Sequence, residues 1–390
     1  MFFVKKIRKV LSVIVVLGII ALCGAVVIAL FFSPKQSNID VRSLDINTIG
    51  KNENYPIDLV YLWCEDNPQR EKLRNEWKEK LGIMKNKNTN SLQATNKGRF
   101  VSNDELKYSL RSVEKYAPWI NKIYIITDNQ APKWLNLNHP KIKIIDHKDI
   151  MPASARPSFN SVSIEHCISN IKDLSEHFLY ANDDMMFGNY VQPEDFFKDG
   201  KPIYILGGKI FGFMKRIYIK ITGKSDISKF QFGKTIVNAY NLVNKQFTNT
   251  TLDLRYPHHN IDPYLKSTMK KVKETFKDEI ETTINSHFRS DVNIQRMVYT
   301  FYAILNNEAY YKIQEKHDRI YNIKSIILGQ KRKISYYVGI NKINKLPEEL
   351  KKYKYKMFCT NDNEDTTDAD RAKYRDIMEQ IFPYKSSFEK

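Results

Sequence analysis

The chain has 390 residues, of which 42% are hydrophobic and 12% aromatic, enough for the core of one large α/β catalytic domain with insertions. Its formal net charge of +18 fits a solvated lysine-rich surface, an anionic membrane or a phosphate-rich substrate. The sequence has no zinc-finger spacing, RNP-like motif or isolated basic arm, which argues against a nucleic-acid partner. Four cysteines, Cys23, Cys64, Cys167 and Cys359, show no CxxC spacing and argue against a zinc site or a disulfide framework.

An apolar run occupies residues 10–32, behind the basic residues Lys5, Lys6, Arg8 and Lys9. It is long enough to span a hydrocarbon core of about 30 Å, and its end lacks the small-residue exit of a cleaved signal peptide. We therefore expect one transmembrane anchor at 1–33 and a polar linker at 34–55. The positive-inside rule places the catalytic domain across the membrane, as in a lumenal Golgi-type enzyme. A bacterial enzyme using cytoplasmic nucleotide-sugars requires the cytoplasmic face, and the sequence leaves both open.

Strand and helix patterns alternate after the linker. Apolar runs predict strands at 57–63, 123–127, 142–145 and 178–181. Capped or amphipathic segments predict helices at 69–81, 103–116 and 161–177, with an exposed polar loop at 82–98. This alternation predicts an α/β fold with a Rossmann-like, mainly parallel sheet at about 56–210.

Helical patterns dominate the second half of the chain. They cover 225–247, 262–280, 290–307 and 367–381. We expect a helical subdomain at about 225–310 that covers the active edge of the sheet, and a C-terminal segment at 350–390. The whole of 56–390 is then one catalytic domain behind a single N-terminal transmembrane helix.

Two adjacent carboxylates follow the last predicted strand, in the segment Asn182-Asp183-Asp184. In open α/β sheets ligands bind beyond the carboxyl ends of the strands. Carboxylates at that place can hold Mg²⁺ or Mn²⁺ while a diphosphate completes the coordination shell. We therefore predict a divalent-metal site at Asp183 and Asp184. The alternative is a turn followed by a helix cap, because Asn and Asp favour both.

Two further segments carry groups suited to phosphate and hydroxyl chemistry. His258, in a Pro-His-His-Asn segment, can act as a general base toward a sugar hydroxyl, and the alternative is a surface loop before a helix. Arg289, just ahead of a predicted helix, can bind phosphate oxygens with two hydrogen bonds, and the alternative is an ordinary capping segment.

From about residue 58 onward the chain resembles the Stealth family of capsule and cell-wall polysaccharide phosphotransferases, distant relatives of the lysosomal-enzyme GlcNAc-1-phosphotransferase. Several unrelated short motifs in the right order are more specific than any one alone. The matching stretches are Glu105 to Trp119, Trp134-Leu135, Asn138 to Pro140, His147 to Asp149, Asn182 to Asp184, Pro257-His258, Lys266-Ser267, His287 to Asn293, Cys359 to Asp362 and Lys385 to Lys390.

The resemblance implies a nucleotide-activated donor, such as a UDP-sugar or CDP-polyol, a divalent metal and a glycan acceptor. The acceptor hydroxyl attacks the phosphorus that bears the sugar, UMP or CMP leaves, and a phosphodiester results. On this resemblance Asp183 and Asp184 are metal or catalytic carboxylates, His258 the base or acid, and Arg289 the stabiliser of the transferred phosphate. The implied donor-binding residues are Asp66, Arg111, Asn182, Asn361 and Asp362.

Three departures from the family pattern leave the donor's identity open. The first signature, usually Trp-Val-Asp-Gly-x-Asp-Pro, is here Trp63 to Pro68 and one residue shorter; Val101-Ser102 replaces an Arg-Asp pair; and Arg156-Pro157-Ser158-Phe159 replaces Leu-Pro-Thr-Phe. Two rival functions remain. One is a metal-dependent glycosyltransferase that releases UDP, and the other is a membrane-tethered glycan-binding protein without activity.

Overall fold

The computed structural model describes residues 55–83, 101–209, 231–247, 252, 254–314, 334–363 and 365–390. All of them belong to one compact unit, Leu44–Lys390. The predicted transmembrane anchor lies outside the described residues, as does nearly all of the linker. Among the helices that the structure describes, none is both long and apolar enough to cross a bilayer.

The strands are β1 (Ile57–Leu62), β2 (Ile123–Thr127), β3 (Ile142–Asp146), β4 (His177–Asn182), β5 (Met185–Phe187), β6 (Phe197–Lys198), β7 (Lys201–Lys209), β8 (Arg255–Pro257), β9 (Asp262–Leu265), β10 (Tyr310–Ile313), β11 (Ser335–Gly339) and β12 (Met357–Asn361). The α-helices are α1 (Pro68–Lys80), α2 (Glu105–Tyr116), α3 (His147–Ile150), α4 (Ser161–Glu165), α5 (Gln231–Gln246), α6 (Lys266–Thr275), α7 (Lys277–Ile284), α8 (Met297–Leu305), α9 (Leu346–Tyr353) and α10 (Asp368–Ile381).

The central sheet has five strands in the order β3-β2-β1-β4-β9. The first four are parallel to one another, and β9 runs antiparallel to β4. The predicted mixed α/β fold with a mainly parallel sheet is therefore confirmed. Because the strand order reverses beside β1, the carboxyl ends of β1 and β4 flank the position where open α/β sheets bind ligands.

The sequence of β1, Ile-Asp-Leu-Val-Tyr-Leu, is almost wholly apolar because both faces of this strand are covered. Leu59 and Tyr61 point into one core and Val60 into the other. Asp58 is the exception, and its buried carboxylate accepts hydrogen bonds from the backbone N–H of Lys122 at 3.1 Å and of Ser175 at 2.7 Å. The buried charge therefore ties the start of β1 to two neighbouring loops.

The helices α5 to α8 pack on one face of the central sheet. Ile236 on α5, Val272 on α6 and Val298 on α8 are fully buried there, in one apolar core with Val60 and Phe178 of the sheet. The predicted helical part therefore shares its core with the sheet.

The opposite face of the sheet carries α2 and the C-terminal part of the chain. Leu106, Leu110, Val113 and Ala117 recur at helical spacing and lie in one core with the sheet residue Leu59. A three-stranded sheet of order β11-β12-β5 lies beyond α2 and brings β12 against the turn that follows β4. A further sheet is built from β10, β7 and β6, with β8 paired to β7.

The predicted helix at 161–177 is wrong beyond Glu165, where α4 ends. The carbonyls of Ile171 and Leu174 accept hydrogen bonds from the Lys266 ammonium, at 2.8 and 3.2 Å. Lys266 is about 90 positions away in sequence, so a local sequence pattern could not predict this contact. Its ammonium group binds carbonyls that would otherwise accept hydrogen bonds within a helix.

The predicted helix at 262–280 is also wrong at its start. Residues 262–265 form β9 because their backbone pairs with β4, and a break at Phe276 separates α6 from α7. Within the predicted helix at 290–307, the α-helix observed is α8, Met297–Leu305. Within 225–247 the structure describes α5 from Gln231, and residues 225–230 lie outside the described part.

Candidate active site

Asp183 and Asp184 form the turn between β4 and β5, at the carboxyl end of the central sheet. The backbone of Asp184 is fixed because its carbonyl accepts a hydrogen bond from the Thr360 N–H at 2.9 Å. Its Oδ2 atom accepts a hydrogen bond from the Cys359 thiol at 3.4 Å. Its Oδ1 atom is buried and has no hydrogen-bond partner among the described residues. Asp184 therefore offers one held and one unpartnered oxygen.

Glu105, the first residue of α2, is the site residue that the sequence analysis missed. Its carboxylate is buried and accepts a hydrogen bond from the Asn103 amide at 2.7 Å. Burial raises the pKa of Glu105 to about 7; hydrogen bonds from Asn103 oppose this shift, and the charge of Asp184 adds to it. The available signal was its position at the head of the longest family-like stretch.

Three carboxylates therefore lie within electrostatic reach of one another. Burial, then the charges of Glu105 and Asp184, raise the pKa of Asp183 well above its usual value. Burial raises the pKa of Asp184 to about 6, while Cys359 and Asn361 oppose the shift. A site that concentrates negative charge in this way favours a bound cation.

The donor set fits a metal that is shared with the substrate. Among the described residues no three His, Cys, Asp or Glu side chains converge on one metal position. Mg²⁺ is commonly bound through one or two carboxylates, with water and substrate phosphates completing its shell. Asp183 and the unpartnered Oδ1 of Asp184 match that smaller requirement.

Asn361 is the last residue of β12, which lies beside this turn, and Asp362 follows it. Asp362 is bound by Arg371, with Nε–Oδ2 and Nη2–Oδ1 distances of 2.8 and 3.1 Å. It also accepts a hydrogen bond from the Asn103 amide at 3.2 Å, so Asn103 joins Asp362 to Glu105. The structure therefore brings both predicted residues to the carboxylate cluster.

Asn182 and Asp66 lie at the carboxyl ends of β4 and β1. The Tyr180 hydroxyl donates a hydrogen bond to Asn182 Oδ1 at 2.7 Å. This bond fixes the orientation of the Asn182 amide and does not use its NH₂ group. Asp66 is held by Arg74 through two hydrogen bonds, of 2.9 and 2.8 Å. Both residues lie at the edge where the sequence analysis expected the donor.

The structure places His258 away from open space. Its ring is buried, with Nδ1 at 2.6 Å from the Ser335 hydroxyl and Nε2 at 3.2 Å from the Gln314 amide nitrogen. His259 instead packs against Tyr337, with ring centroids 4.8 Å apart and ring planes tilted by 37°. Tyr337 is the strand partner of Cys359, and burial, Cys359 and the charge of Asp184 raise its pKa to about 12. His259 is therefore linked to the surroundings of Asp184 through the Tyr337 ring, whereas the His258 ring is held by Ser335 and Gln314.

Arg289 contacts Ser161, the first residue of α4. Its Nη2 atom donates a hydrogen bond to the Ser161 hydroxyl at 3.1 Å, and its guanidinium lies 5.2 Å from the centre of the Phe232 ring. This position on the helical side of the sheet does not join Arg289 directly to the carboxylate cluster.

Arg111 is not brought to the site. Its guanidinium binds both oxygens of Glu389, at 2.8 and 2.9 Å, and also Glu379 and the Phe382 carbonyl, at 2.8 and 2.7 Å. The predicted donor-binding role is therefore replaced by a structural one, in which Arg111 fastens the C-terminal tail to α2.

The free energy of unfolding is expected to fall as the pH rises from about 5 to 8 in metal-free buffer. The pKa of Glu105 is about 7 in the folded state, above the unfolded value of about 4.3. The folded protein therefore holds the extra proton, so this stabilisation is complete at low pH and is lost as the pH passes 7. Urea titrations at several pH values measure the slope.

The variant Glu105→Gln is expected to reduce that slope, because it removes one of three carboxyl groups with raised pKa values and keeps the shape of the side chain. The exposed Glu274 on α6 supplies the matched control, Glu274→Gln. An unchanged slope in Glu105→Gln would show that Glu105 does not titrate in this range.

The segment that carries Asp183 and Asp184 is similar to a known protein family. Residues 99–204 match the model for conserved region 2 of Stealth proteins, which spans α2, β4 and the two aspartates. The chain is 29% identical to an exopolysaccharide phosphotransferase of Lactiplantibacillus plantarum, over 86% of this chain and 97% of that one. It is 28% identical to a capsular polysaccharide phosphotransferase of Streptococcus pneumoniae, over 86% of this chain and 99% of that one. It is 30% identical to an exopolysaccharide phosphotransferase of Streptomyces coelicolor, but spans only 53% of that protein's length.

Proposed function

We propose that the chain belongs to the Stealth family of polysaccharide phosphotransferases, and that it transfers a sugar-phosphate or polyol-phosphate unit to a glycan hydroxyl. The donor is a nucleotide-activated compound, a UDP-sugar or CDP-polyol, and the context is capsule or other cell-surface polysaccharide synthesis. The observation that carries the proposal is the buried cluster of Asp183, Asp184 and Glu105 beside the carboxyl ends of β4 and β1. A cluster of like charges at this place suits a metal–diphosphate complex.

In the proposed reaction the acceptor oxygen forms a bond to the donor's β-phosphorus. The bond from that phosphorus to the oxygen bridging it to the nucleoside monophosphate breaks, and UMP or CMP leaves with the bonding electrons. The bond between the sugar carbon and its phosphate oxygen stays intact, so the product is a phosphodiester. A bound Mg²⁺ or Mn²⁺ would supply neutralisation of the charge on the diphosphate.

The side chains have separate tasks in this proposal. Asp183 and Asp184 would hold the cation, and the Cys359 thiol fixes the orientation of Asp184. The Asn182 NH₂ group, oriented by Tyr180, donates to a phosphate oxygen. Asn361 and Asp362 line the same edge. Arg289 is proposed to bind phosphate or acceptor from the helical side.

His259, rather than His258, is proposed to accept the proton of the acceptor hydroxyl. His259→Gln is expected to lower kcat about 10²-fold, since general bases commonly contribute at least that factor. His258→Gln is the matched change at the neighbouring ring, which holds Ser335 and Gln314. It is expected to lower the melting temperature and to leave a larger share of the activity. A greater loss of kcat in His258→Gln, at equal folding, would return the role to His258.

Membrane attachment through the apolar run at 10–32 is part of the proposal. If the enzyme draws on cytoplasmic donors, the catalytic domain faces the cytoplasm; in a Golgi-type arrangement it faces the lumen. Protease protection of sealed vesicles that carry the full chain distinguishes the two faces, and release of the protein by carbonate washing would contradict an anchor.

A screen of activated donors tests the proposed reaction. Full-length protein is incubated with Mg²⁺ or Mn²⁺, a mixed glycan acceptor and each UDP-sugar or CDP-polyol, and the released nucleotide is identified by chromatography. Release of UMP or CMP is expected. Release of UDP would mean ordinary glycosyl transfer, and no release from folded protein with any donor would favour a glycan-binding role.

A further inference from the structure

A group of four buried side chains reaches Asn182 from the interior of the fold. Tyr180 on β4 is fully buried, and its hydroxyl lies 2.7 Å from Asn182 Oδ1 and 3.1 Å from Glu165 Oε1. Glu165, the last residue of α4, is buried, as are Asp262 at the start of β9 and Arg296 just before α8. The Tyr180 hydroxyl therefore joins Asn182 to a buried group of ionisable side chains.

The Tyr180 hydroxyl carries one proton, whereas both neighbouring oxygens are acceptors if Glu165 is ionised. The 2.7 Å distance to Asn182 Oδ1 matches a hydroxyl that donates to a carbonyl oxygen. A hydroxyl that donates to an ionised carboxylate lies at about 2.5–2.7 Å, which is shorter than the 3.1 Å between Tyr180 and Glu165. The Tyr180 proton therefore goes to Asn182, and the proton between Tyr180 and Glu165 has to come from Glu165.

The charges around Arg296 lead to the same conclusion. Its guanidinium binds Asp262 Oδ2 at 2.7 Å but lies 3.9 Å from Glu165 Oε1. Tyr264 and Tyr299 also interact with Glu165, and burial raises the pKa values of both phenols, so they add no charge. One buried guanidinium neutralises one buried carboxylate, and a second ionised carboxylate beside it is unfavourable. Asp262 is therefore the ionised partner of Arg296, and Glu165 is the neutral acid.

We infer that Glu165 is protonated and acts as a positioning residue, which through Tyr180 holds the Asn182 amide with its NH₂ group toward the candidate active site. The inference rests on the proposed function, in which this NH₂ group donates to a phosphate oxygen. An ionised Glu165 would take the Tyr180 proton, because hydrogen bonds to charged acceptors are the stronger ones. The Asn182 amide would then turn to donate to Tyr180, and its carbonyl oxygen would face the phosphate and repel it.

The same change from carboxyl to amide at the two acids tests which of them is ionised, and it needs no enzymatic assay. Glu165→Gln replaces a neutral acid by a neutral amide that can also donate to the Tyr180 hydroxyl, so the melting temperature is expected to fall only slightly. Asp262→Asn removes the ionised partner of Arg296 and is expected to lower the melting temperature at least about three times as much. An equal or larger fall in Glu165→Gln would overturn the inference.

A double-mutant cycle on nucleotide release by the full chain tests the link from Tyr180 to Asn182. Asn182→Ala is expected to lower kcat about 10²-fold, because a hydrogen-bond donor to the transferred phosphate is lost. Tyr180→Phe keeps the ring but releases the amide, and it is expected to lower kcat about tenfold, the value of one hydrogen bond. In the Asn182→Ala background the same Tyr180→Phe change is expected to cause no further loss. The conservative variant Glu165→Gln is expected to retain most of the activity.

Multiplied losses of kcat in the double variant would show that Tyr180 does not act through Asn182 and would overturn the inference, as would a loss in Glu165→Gln equal to that in Tyr180→Phe. The cycle is measured on whichever nucleotide is released. Release of UDP with no further loss in the double variant would support the positioning role and refute phosphoryl transfer. Release of UMP or CMP with multiplied losses would support phosphoryl transfer and refute the positioning role. No release by folded wild-type protein would refute both.

Discussion

Asp184→Asn is expected to lower kcat about 10³-fold while leaving the protein as stable as the wild type, or more stable. The change removes one carboxylate charge from the proposed metal–diphosphate site, where its effect on the transition state is largest. It also removes the repulsion between Asp184 and the carboxylates of Asp183 and Glu105. In the wild type this repulsion raises the pKa values of both. Steady-state turnover and thermal melting of the same preparation measure both effects.

The control for this prediction is Asp376→Asn, the same chemical change at an exposed position on α10. It is expected to keep wild-type turnover. Near-normal kcat in Asp184→Asn would refute the assignment of Asp184 to the metal–phosphate site. If Asp184→Asn lowered the melting temperature so far that the protein was unfolded at the assay temperature, the loss of activity would show that Asp184 is a structural residue.

Arg296→Met is expected to lower the free energy of unfolding by about 3–5 kcal/mol, the usual cost of leaving a buried charge unpaired. The Arg296 guanidinium is buried, binds Asp262 at 2.7 Å and lies 3.9 Å from Glu165. It also lies 5.0 Å from the centre of the Tyr180 ring. The variant leaves the buried carboxyl groups of Asp262 and Glu165 without their cationic partner. Urea unfolding measures the loss.

Arg375→Met makes the matched change at an exposed position and is expected to cost less than about 0.5 kcal/mol. The double variant Arg296→Met with Asp262→Asn is expected to recover part of the loss, because it removes one stranded charge. A loss below about 1 kcal/mol in Arg296→Met would contradict a structural ion pair at this position.

Much of the central sheet could be predicted because its strands carry their own signal. Nearly continuous apolar runs such as Ile57–Leu62 and Ile123–Thr127 are typical of parallel strands that are buried on both faces. The helix α2 was equally clear from its apolar spacing. The segments at 166–177 and 262–265 were missed because Lys266 and the pairing with β4, both distant in sequence, decide their backbone.

The candidate site divides in the same way. Asp183 and Asp184 were predicted because a carboxylate pair after a buried strand has a local signature. Glu105 and Cys359 join them only because α2 packs on the sheet and β12 pairs with β5. The partner of Arg111 could not be predicted from the sequence. An arginine on a helix has the same local pattern whether it binds a phosphate or, as here, Glu389 at the far end of the chain.

The most direct test of phosphoryl transfer is the fate of the donor's β-phosphorus. A UDP-sugar or CDP-polyol labelled with ³²P at the phosphorus that bears the sugar or polyol is supplied with glycan acceptor, and the label is traced. The label is expected to enter the glycan as an alkaline-phosphatase-resistant phosphodiester, while unlabelled UMP or CMP is released. Label recovered in UDP, with unlabelled glycan product, would contradict phosphoryl transfer.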